Sequence, residues 1–454
     1  MPTATSKPNA RIRRARVATF VGFASLGGLM YTWSTSVTAF REQLGLSGGA
    51  GDFRFGLIVL SAGIAAALGA LAVGFFADRF GPRAPIAVCA TLYPLALIGL
   101  GQVTAVGFAI PLGVLLGLFR GAMDTTLNTH GIHVERYYGR SIMSSFHACY
   151  SLGGFALGMA GSWMAGKYPN SATIQFSVLG TTLLLCGVLA TLWMLPKDEI
   201  LPATAELEND ARSPIAGHTP IAGRSPDAGS SLEAGHSPPR DAGRRPPSGA
   251  VVWLVIAFGV LLLGSMIAEN VVGDWGQEYL HRVDHATVSV AGIAVSIFIG
   301  TEALGRVFVD RLAQRYGRPA LVLVSGLLAI SGLVLSIAVN APVTSLIGFG
   351  ALGLAMSSIA PLMFSSAGRA DAANAGRNIG IMNAIGYSAG LVSPAVITLV
   401  VLHFGLQRLL LFPLVMMLPL AFFGPALMKT AERRGARSSL GLPATDVISK
   451  MGAA

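Results

Sequence analysis

Gly74-Phe-Phe-Ala-Asp78-Arg79-Phe-Gly81-Pro-Arg83 and Gly305-Arg306-Val-Phe-Val-Asp310-Arg311-Leu-Ala-Gln-Arg315-Tyr-Gly317-Arg318 decide how this chain is read. Each closes a long apolar run with an acid, a base and a glycine turn. A membrane-spanning helix needs about 20 mostly apolar residues. Working outward from the two loops, twelve such runs can be marked: Val17–Phe40, Phe53–Ala77, Ala84–Thr104, Val106–Asn128, Ser141–Gly166, Ala172–Leu195, Ala250–Val272, Thr287–Val309, Pro319–Val339, Val343–Ala367, Gly376–Leu402 and Gln407–Met428. Six precede a polar insert, Pro196–Gly249, and six follow it. The quoted loops come after the second and eighth runs, at equivalent places in two halves, which is the mark of a duplicated unit.

Composition agrees. Hydrophobic residues make up 53% of the 454 residues and charged residues 12%, with a mean hydropathy of +0.63. A soluble domain carries about 25% charged residues, so much of this surface must face lipid. The 56 glycines suit close helix packing in a bilayer. Cys89, Cys149 and Cys186 lie in apolar runs without ligand spacing and read as buried thiols. The chain divides into an N-terminal arm (1–16), a six-helix bundle (17–195), a linker (196–249), a second six-helix bundle (250–428) and a tail (429–454). The linker repeats Ser/Thr-Pro-x-Ala-Gly and is too polar to offset its ordering entropy, so disorder is expected.

The net charge of +10 would raise nucleic acid as a partner for a soluble chain. Here its placement answers a different question. Of the 32 Lys and Arg residues, only Arg41, Arg54, Lys167, Arg282 and Arg408 fall on the side opposite the termini, while Arg120 sits inside a span. By the positive-inside rule both termini are cytoplasmic. The arginines of the arm precede a run too long for a cleavable signal.

The paired loops resemble the signature loop of the major facilitator superfamily, and the resemblance covers nearly the whole chain. Three stretches are more specific: Arg120-Gly-Ala-Met-Asp124-Thr-Thr-Leu-Asn128-Thr-His130-Gly-Ile-His-Val-Glu135-Arg136, Ser144-Ser-Phe-His147-Ala-Cys-Tyr-Ser151, and Ala268-Glu269-Asn270-Val-Val-Gly-Asp274-Trp275. Together they resemble a bacterial branch related to fucose permeases. The resemblance implies an all-α membrane protein with twelve transmembrane helices in two pseudo-symmetric six-helix bundles. It also implies a bacterial inner-membrane location and alternating access for a small solute, with a monomer as the default.

Ionisable residues inside a span are expensive and mark function by default. Arg120 and Asp124 are four apart on one helix face, and Asn128 extends it. Either they contact solute or proton, or they neutralise one another. In the fucose-permease pattern an acid in this span, followed by Thr and later Asn, carries both interactions. Asp124, Thr125 and Asn128 match, but Val17–Phe40 holds no counterpart to the family's second acid. His147 should lie about 9 Å into span five, beside Asp124 and Asn128, as a proton relay or a packing histidine.

Glu269 and Asn270 are expected near the outer end of span seven, with Asp274 beyond and Gly273 and Gly276 interrupting the helix. That arrangement would serve a gate or an interfacial cap. Glu302, Arg306 and Asp310 form a ladder on span eight that reads mainly as a self-neutralising support for the loop, the alternative being Glu302 as a cavity residue. Asn383 is a polar cavity candidate, and Trp33 could stack on a solute or simply pack. In the loops, Gly74, Asp78, Arg79, Gly81 and Arg83, with Gly305, Arg306, Asp310, Arg311, Gly317 and Arg318, read as cytoplasmic latches. There an acid would accept from a neighbouring helix end and an arginine; the alternative is positive-inside charge alone.

No Walker loop, nucleophile elbow or His/Cys metal set occurs, so neither enzyme chemistry, a cofactor nor a metal is expected. The expected partners are lipid, a small polar solute such as a sugar or organic acid, and protons. The rivals are an exporter of hydrophobic compounds and a sensor that binds without moving solute. The Gly-Pro pattern of drug antiporters is missing from span five.

Overall fold

A computed structural model of the chain describes residues 9–138, 142–200, 249–370, 378, 381–382, 384–386 and 388–439, with the side chains at 78, 144, 310, 368, 369 and 435–439 left aside. Asn383 and most of the 196–249 linker thus lie outside the described residues. Twelve long helices run through the described residues: α1 Ala10–Ser34, α2 Gly48–Phe80, α3 Arg83–Leu100, α4 Val106–Tyr138, α5 Met143–Lys167, α6 Thr173–Thr191, α7 Gly249–Arg282, α8 Val288–Tyr316, α9 Arg318–Val339, α10 Pro342–Ala370, α11 Ala389–Phe404 and α12 Leu411–Ser439. The face carrying the start of α1 and the end of α12 is called the near face, and the opposite one the far face.

Among the described residues, 10 helices are long and apolar enough to cross a membrane. The two long helices that fall short are α1 and α5. They are richer in small and polar residues because they pack on each other and on the partner bundle, so less of them needs to face lipid. The lipid-directed surface is plain: Leu71, Phe75, Phe108, Trp253, Val343 and Phe422 are each 65–80% exposed. In water so large an apolar band would drive association; in a bilayer it is solvated.

The halves repeat each other. In the first, α2 packs on α4, α3 on α4 and α6, and α1 on α4, α5 and α6. In the second, α8 packs on α10, α9 on α10 and α12, and α7 on α10, α11 and α12. Each pairing recurs six helices later. Across the halves α5 meets α8, α2 meets α11, and α1 meets α7, which is the pattern a two-fold relation requires. Glycine allows the closest approaches. A Cβ on Gly117 of α4 would lie 1.9 Å from the Ala62 carbonyl oxygen of α2, and one on Gly353 of α10 would lie 2.0 Å from that of Phe298 on α8. The loop glycines correspond too: Gly81 (φ 77°, ψ 160°) and Gly317 (φ 81°, ψ 151°) close α2 and α8 in a conformation open essentially to glycine alone.

Several boundaries differ from expectation. The arginines placed in an N-terminal arm are helical, because Asn9 caps α1 by accepting from the Ile12 N–H. Arg11 then donates to the carbonyls of Trp193 and Met194 and occupies the orphan end of α6. Span one is not continuous to Phe40. It stops at Ser34 and resumes as a short helix, Val37–Gln43. Span seven, expected to break at Gly273 and Gly276, runs unbroken for 34 residues. Gly276 instead makes room for Phe349, whose Cε2 would lie 2.9 Å from a Cβ there, and Gly273 faces Met30 and Ser34 of α1. Residues 429–439, expected in the tail, extend α12.

Candidate functional site

Three residues singled out from sequence meet between α4 and α5. Asn128 donates from Nδ2 to the Asp124 backbone carbonyl (2.9 Å) and to Asp124 Oδ1 (3.0 Å). Its Oδ1 lies 3.1 Å from His147 Nε2. With the amide nitrogen committed to Asp124, Asn128 Oδ1 accepts, so His147 Nε2 carries a proton. Asp124, Asn128 and His147 thus form one hydrogen-bonded line. His147 also packs edge-on against Phe23, 5.1 Å between ring centroids. By contrast His130, in the same motif, is structural: Nε2 accepts from the Leu195 N–H and Nδ1 meets Thr19 Oγ1.

Arg120 and Asp124 do not pair. Arg120 turns to Met30, placing Nη1 3.3 Å from its sulfur, and lines a cavity between the bundles with Met30, Trp33, Tyr93, Asp274 and Pro394. The cavity is about 20 Å³, room for one water. Asp274 is 7% exposed and lines this cavity beside Trp33. Because α7 is unbroken, Asp274 and Glu269 lie on one continuous helix, with Glu269 farther from its far-face end. Trp33 is 6% exposed, with its ring stacked on Phe55 and Phe176. Its faces are therefore filled by protein, and only its N–H edge serves the cavity.

A second charged group sits where α7 and α8 approach α5. Arg306 pairs with Glu302 and donates to Ser151 Oγ of α5 across the bundle interface. Glu269, Tyr31 and Tyr150 share its electrostatic field. Arg306 therefore belongs to the membrane interior, four residues from Glu302, and not to the loop. Glu302 is 2% exposed with Oε2 unpartnered, a more central residue than a supporting ladder implies. Asn270 donates to Ser393 Oγ, joining α7 to α11.

At the near-face loops, Lys197 donates to the Arg79 carbonyl at 2.6 Å, and Arg318 approaches Glu432 at 3.9 Å. Glu135 accepts from the N–H groups of Ile142 and Met143 at the start of α5, while the side chains of Asp78 and Asp310 lie outside the described residues.

Sequence reading missed the far-face closure. Arg41, 2% exposed, reaches Asp52 at 2.6 Å and Glu278 at 2.9 Å. Arg282 reaches the same two carboxylates at 2.5 and 3.6 Å. Phe55 and Trp275 cover the Arg41 guanidinium, with ring centroids at 4.9 and 5.7 Å. Beside this quartet, Gln277 of α7 fills the break in α1, accepting from the Thr38 N–H (3.0 Å) and donating to the Thr35 carbonyl (2.6 Å). The available signal was the spacing of Glu278 and Arg282, four apart on one helix, beside two arginines already placed on that side.

Two duplicated six-helix bundles, packed through α2–α11 and α5–α8 around buried charges, define a major facilitator fold. No family model matches the chain. An uncharacterised MFS-type transporter of Yersinia pestis is 25% identical over 389 residues, covering 84% of this chain and 88% of that one. The structure of the nucleoside transporter NupG superposes with a TM-score of 0.62 at 16% identity, covering 93% of this chain and 100% of that one. A D-xylose–proton symporter does so at 0.62 and 16%, covering 91% and 97%. The chain thus shares its fold with these two transporters and is similar in sequence to an MFS-type transporter.

Proposed function

We propose that this chain is a secondary active transporter that moves a small polar solute by alternating access, coupled to protons. In this reading the near face is the cytoplasmic side of a bacterial inner membrane; the Lys and Arg asymmetry supports that orientation. The observation that carries the proposal is the set of ionisable groups held among the apolar helices: Asp124 with Asn128 and His147 between α4 and α5, and, where the halves meet, Arg120 facing Asp274 and Arg306 with Glu302. Such groups are retained in hydrocarbon where they work, and the last two sets lie on the surface along which the halves would part. The named neighbours, a nucleoside transporter and a xylose–proton symporter, move small polar solutes. In this reading Asp124 exchanges the proton, His147 passes it toward the cytoplasm, and the loops at Asp78 and Asp310 latch the near face.

The test uses proteoliposomes loaded with a pH-sensitive dye and challenged with a library of sugars, nucleosides, organic acids and amino acids. At least one solute should drive proton movement in the parent, and Asp124→Asn should uncouple it. Gradient-driven transport that persists unchanged in Asp124→Asn would remove the assignment of that residue. Proton movement or counterflow evoked by no member of the library would remove the proposal itself.

A further inference from the structure

Arg120 and Asp274 face one cavity from opposite bundles, yet they do not pair. Among the described residues neither has an oppositely charged group within ion-pair distance. Arg120 meets a thioether sulfur, and Asp274 lines the cavity beside Trp33. Two opposite charges in a low-dielectric interior gain most by direct contact. Holding them apart leaves a place for something that neutralises both.

From this we infer that the transported solute is a zwitterion of the amino-acid type. Its carboxylate lies on the Arg120 fork and its ammonium on the Asp274 carboxylate. The inference rests on the transport reading above and narrows it.

Charge arithmetic excludes the simpler classes. A sugar offers hydroxyl groups to both residues but brings no opposite charge into contact with either. An organic acid satisfies Arg120 and adds a like charge in front of Asp274. An amine does the reverse. A zwitterion matches both signs and adds no net charge, so its passage does no work against the membrane potential. The geometry of the guanidinium favours a planar carboxylate held by two parallel N–H bonds. Met30, Tyr93 and the aliphatic wall from Ile58, Val59 and Leu116 supply an apolar rim for a side chain.

The cavity as it stands holds one water, so the solute enters when α4 and α7 separate. Because the two charges belong to different halves, a bridging zwitterion draws those halves together. Binding and closure then become one event.

The test measures apparent Tm of the purified full-length protein with each proteinogenic amino acid and with glycine betaine. Any hit is then compared with its amide, which keeps only the cation, and with its 2-hydroxy acid, which keeps only the anion. One or more zwitterions should stabilise the protein, each single-charge analogue should bind at least about tenfold more weakly, and Arg120→Gln and Asp274→Asn should each abolish the shift. The analogue comparison needs no variant, so it stands even where a substitution harms folding. No stabilisation by any zwitterion, equal stabilisation by a single-charge analogue or a sugar, or a shift retained in both variants overturns the inference. A sugar that drives proton movement while no zwitterion binds would sink this inference alone and leave the transporter reading intact.

Discussion

Replacing Arg41 with Met should tilt the protein toward a conformation open at the far face. Arg41 and Asp52 come from the first half, Glu278 and Arg282 from the second. When the halves part, each keeps a neutral pair of its own, Arg41–Asp52 and Glu278–Arg282. What closure adds is the pair of crossed contacts, Arg41–Glu278 at 2.9 Å and Arg282–Asp52 at 2.5 Å. Arg41→Met removes the Arg41–Asp52 pair from both conformations, so that loss cancels. The Glu278 contact is lost from the closed one only. A charge-assisted hydrogen bond is worth about 1.5–3 kcal/mol net, and each 1.4 kcal/mol is tenfold. The closed-to-open ratio should therefore fall roughly tenfold to a hundredfold. Two carboxylates left sharing Arg282 push in the same direction. Spin labels at Thr104 of the first half and Val343 of the second, in a background without Cys89, Cys149 and Cys186, report the separation by pulsed electron resonance. A new long-distance population should appear in Arg41→Met. Arg41→Met and Glu278→Leu combined should be less than additive, since they break one contact. An unchanged distance distribution, or strict additivity, would refute the reasoning.

Three further outcomes are expected. Gln277→Leu strips two buried backbone groups at the α1 break of their partner, which costs about 2–5 kcal/mol; a marked drop in thermal stability should follow, with Gln277→Glu intermediate because it keeps the acceptor for the Thr38 N–H. Asp284, in the α7–α8 loop and 3% exposed, has its pKa raised by burial, against the lowering pull of Ser345 and His285. The folded state therefore favours the protonated acid, and stability falls as pH rises through the raised pKa. Asp284→Asn should raise the apparent Tm at neutral pH and lose that advantage in acid, whereas an equal gain at all pH values would contradict the assignment. Gly117→Val and Gly353→Val should each abolish monodisperse protein on size exclusion, while Gly107→Val, with nothing within 4 Å of its Cβ, should behave as the parent.

The architecture could be read from the chain because membrane constraints act locally. Twelve apolar runs, a cation count by loop and two matching Gly turns need no tertiary knowledge. Part of the site was legible for the same reason. Asp124 and Asn128 share a helix face by spacing alone, and His147 follows from depth along the next helix. Where the reading failed, the deciding contacts were long-range. Gly273 and Gly276 look like helix breakers in isolation, but Phe349 and α1 fill the room they leave. Trp33 is available to a solute until Phe55 and Phe176 cover its faces. Arg306 belongs to a loop by motif and to the interior by its bond with Ser151, 155 positions away. The far-face quartet draws on three helices and two halves, and no periodicity announces it.

The short helix Val37–Gln43 is fastened to the first half by its last residue. Gln43 donates to the carbonyls of Leu100, Gly101 and Val103 and accepts from the Ala172 N–H. With so many anchors on one side, that segment stays behind when the far face opens, and Gln277 is the group that lets go. The parting seam then carries a glutamine, two guanidinium groups and two carboxylates, which water hydrates as readily as their present partners do, with the Phe55–Trp275 ring contact as its apolar part. Exposing a seam of leucines would demand hydrophobic work at every cycle; exposing this one exchanges one set of hydrogen bonds for another. Such a seam leaves the two conformations close in free energy, which is the condition for a small solute to decide between them.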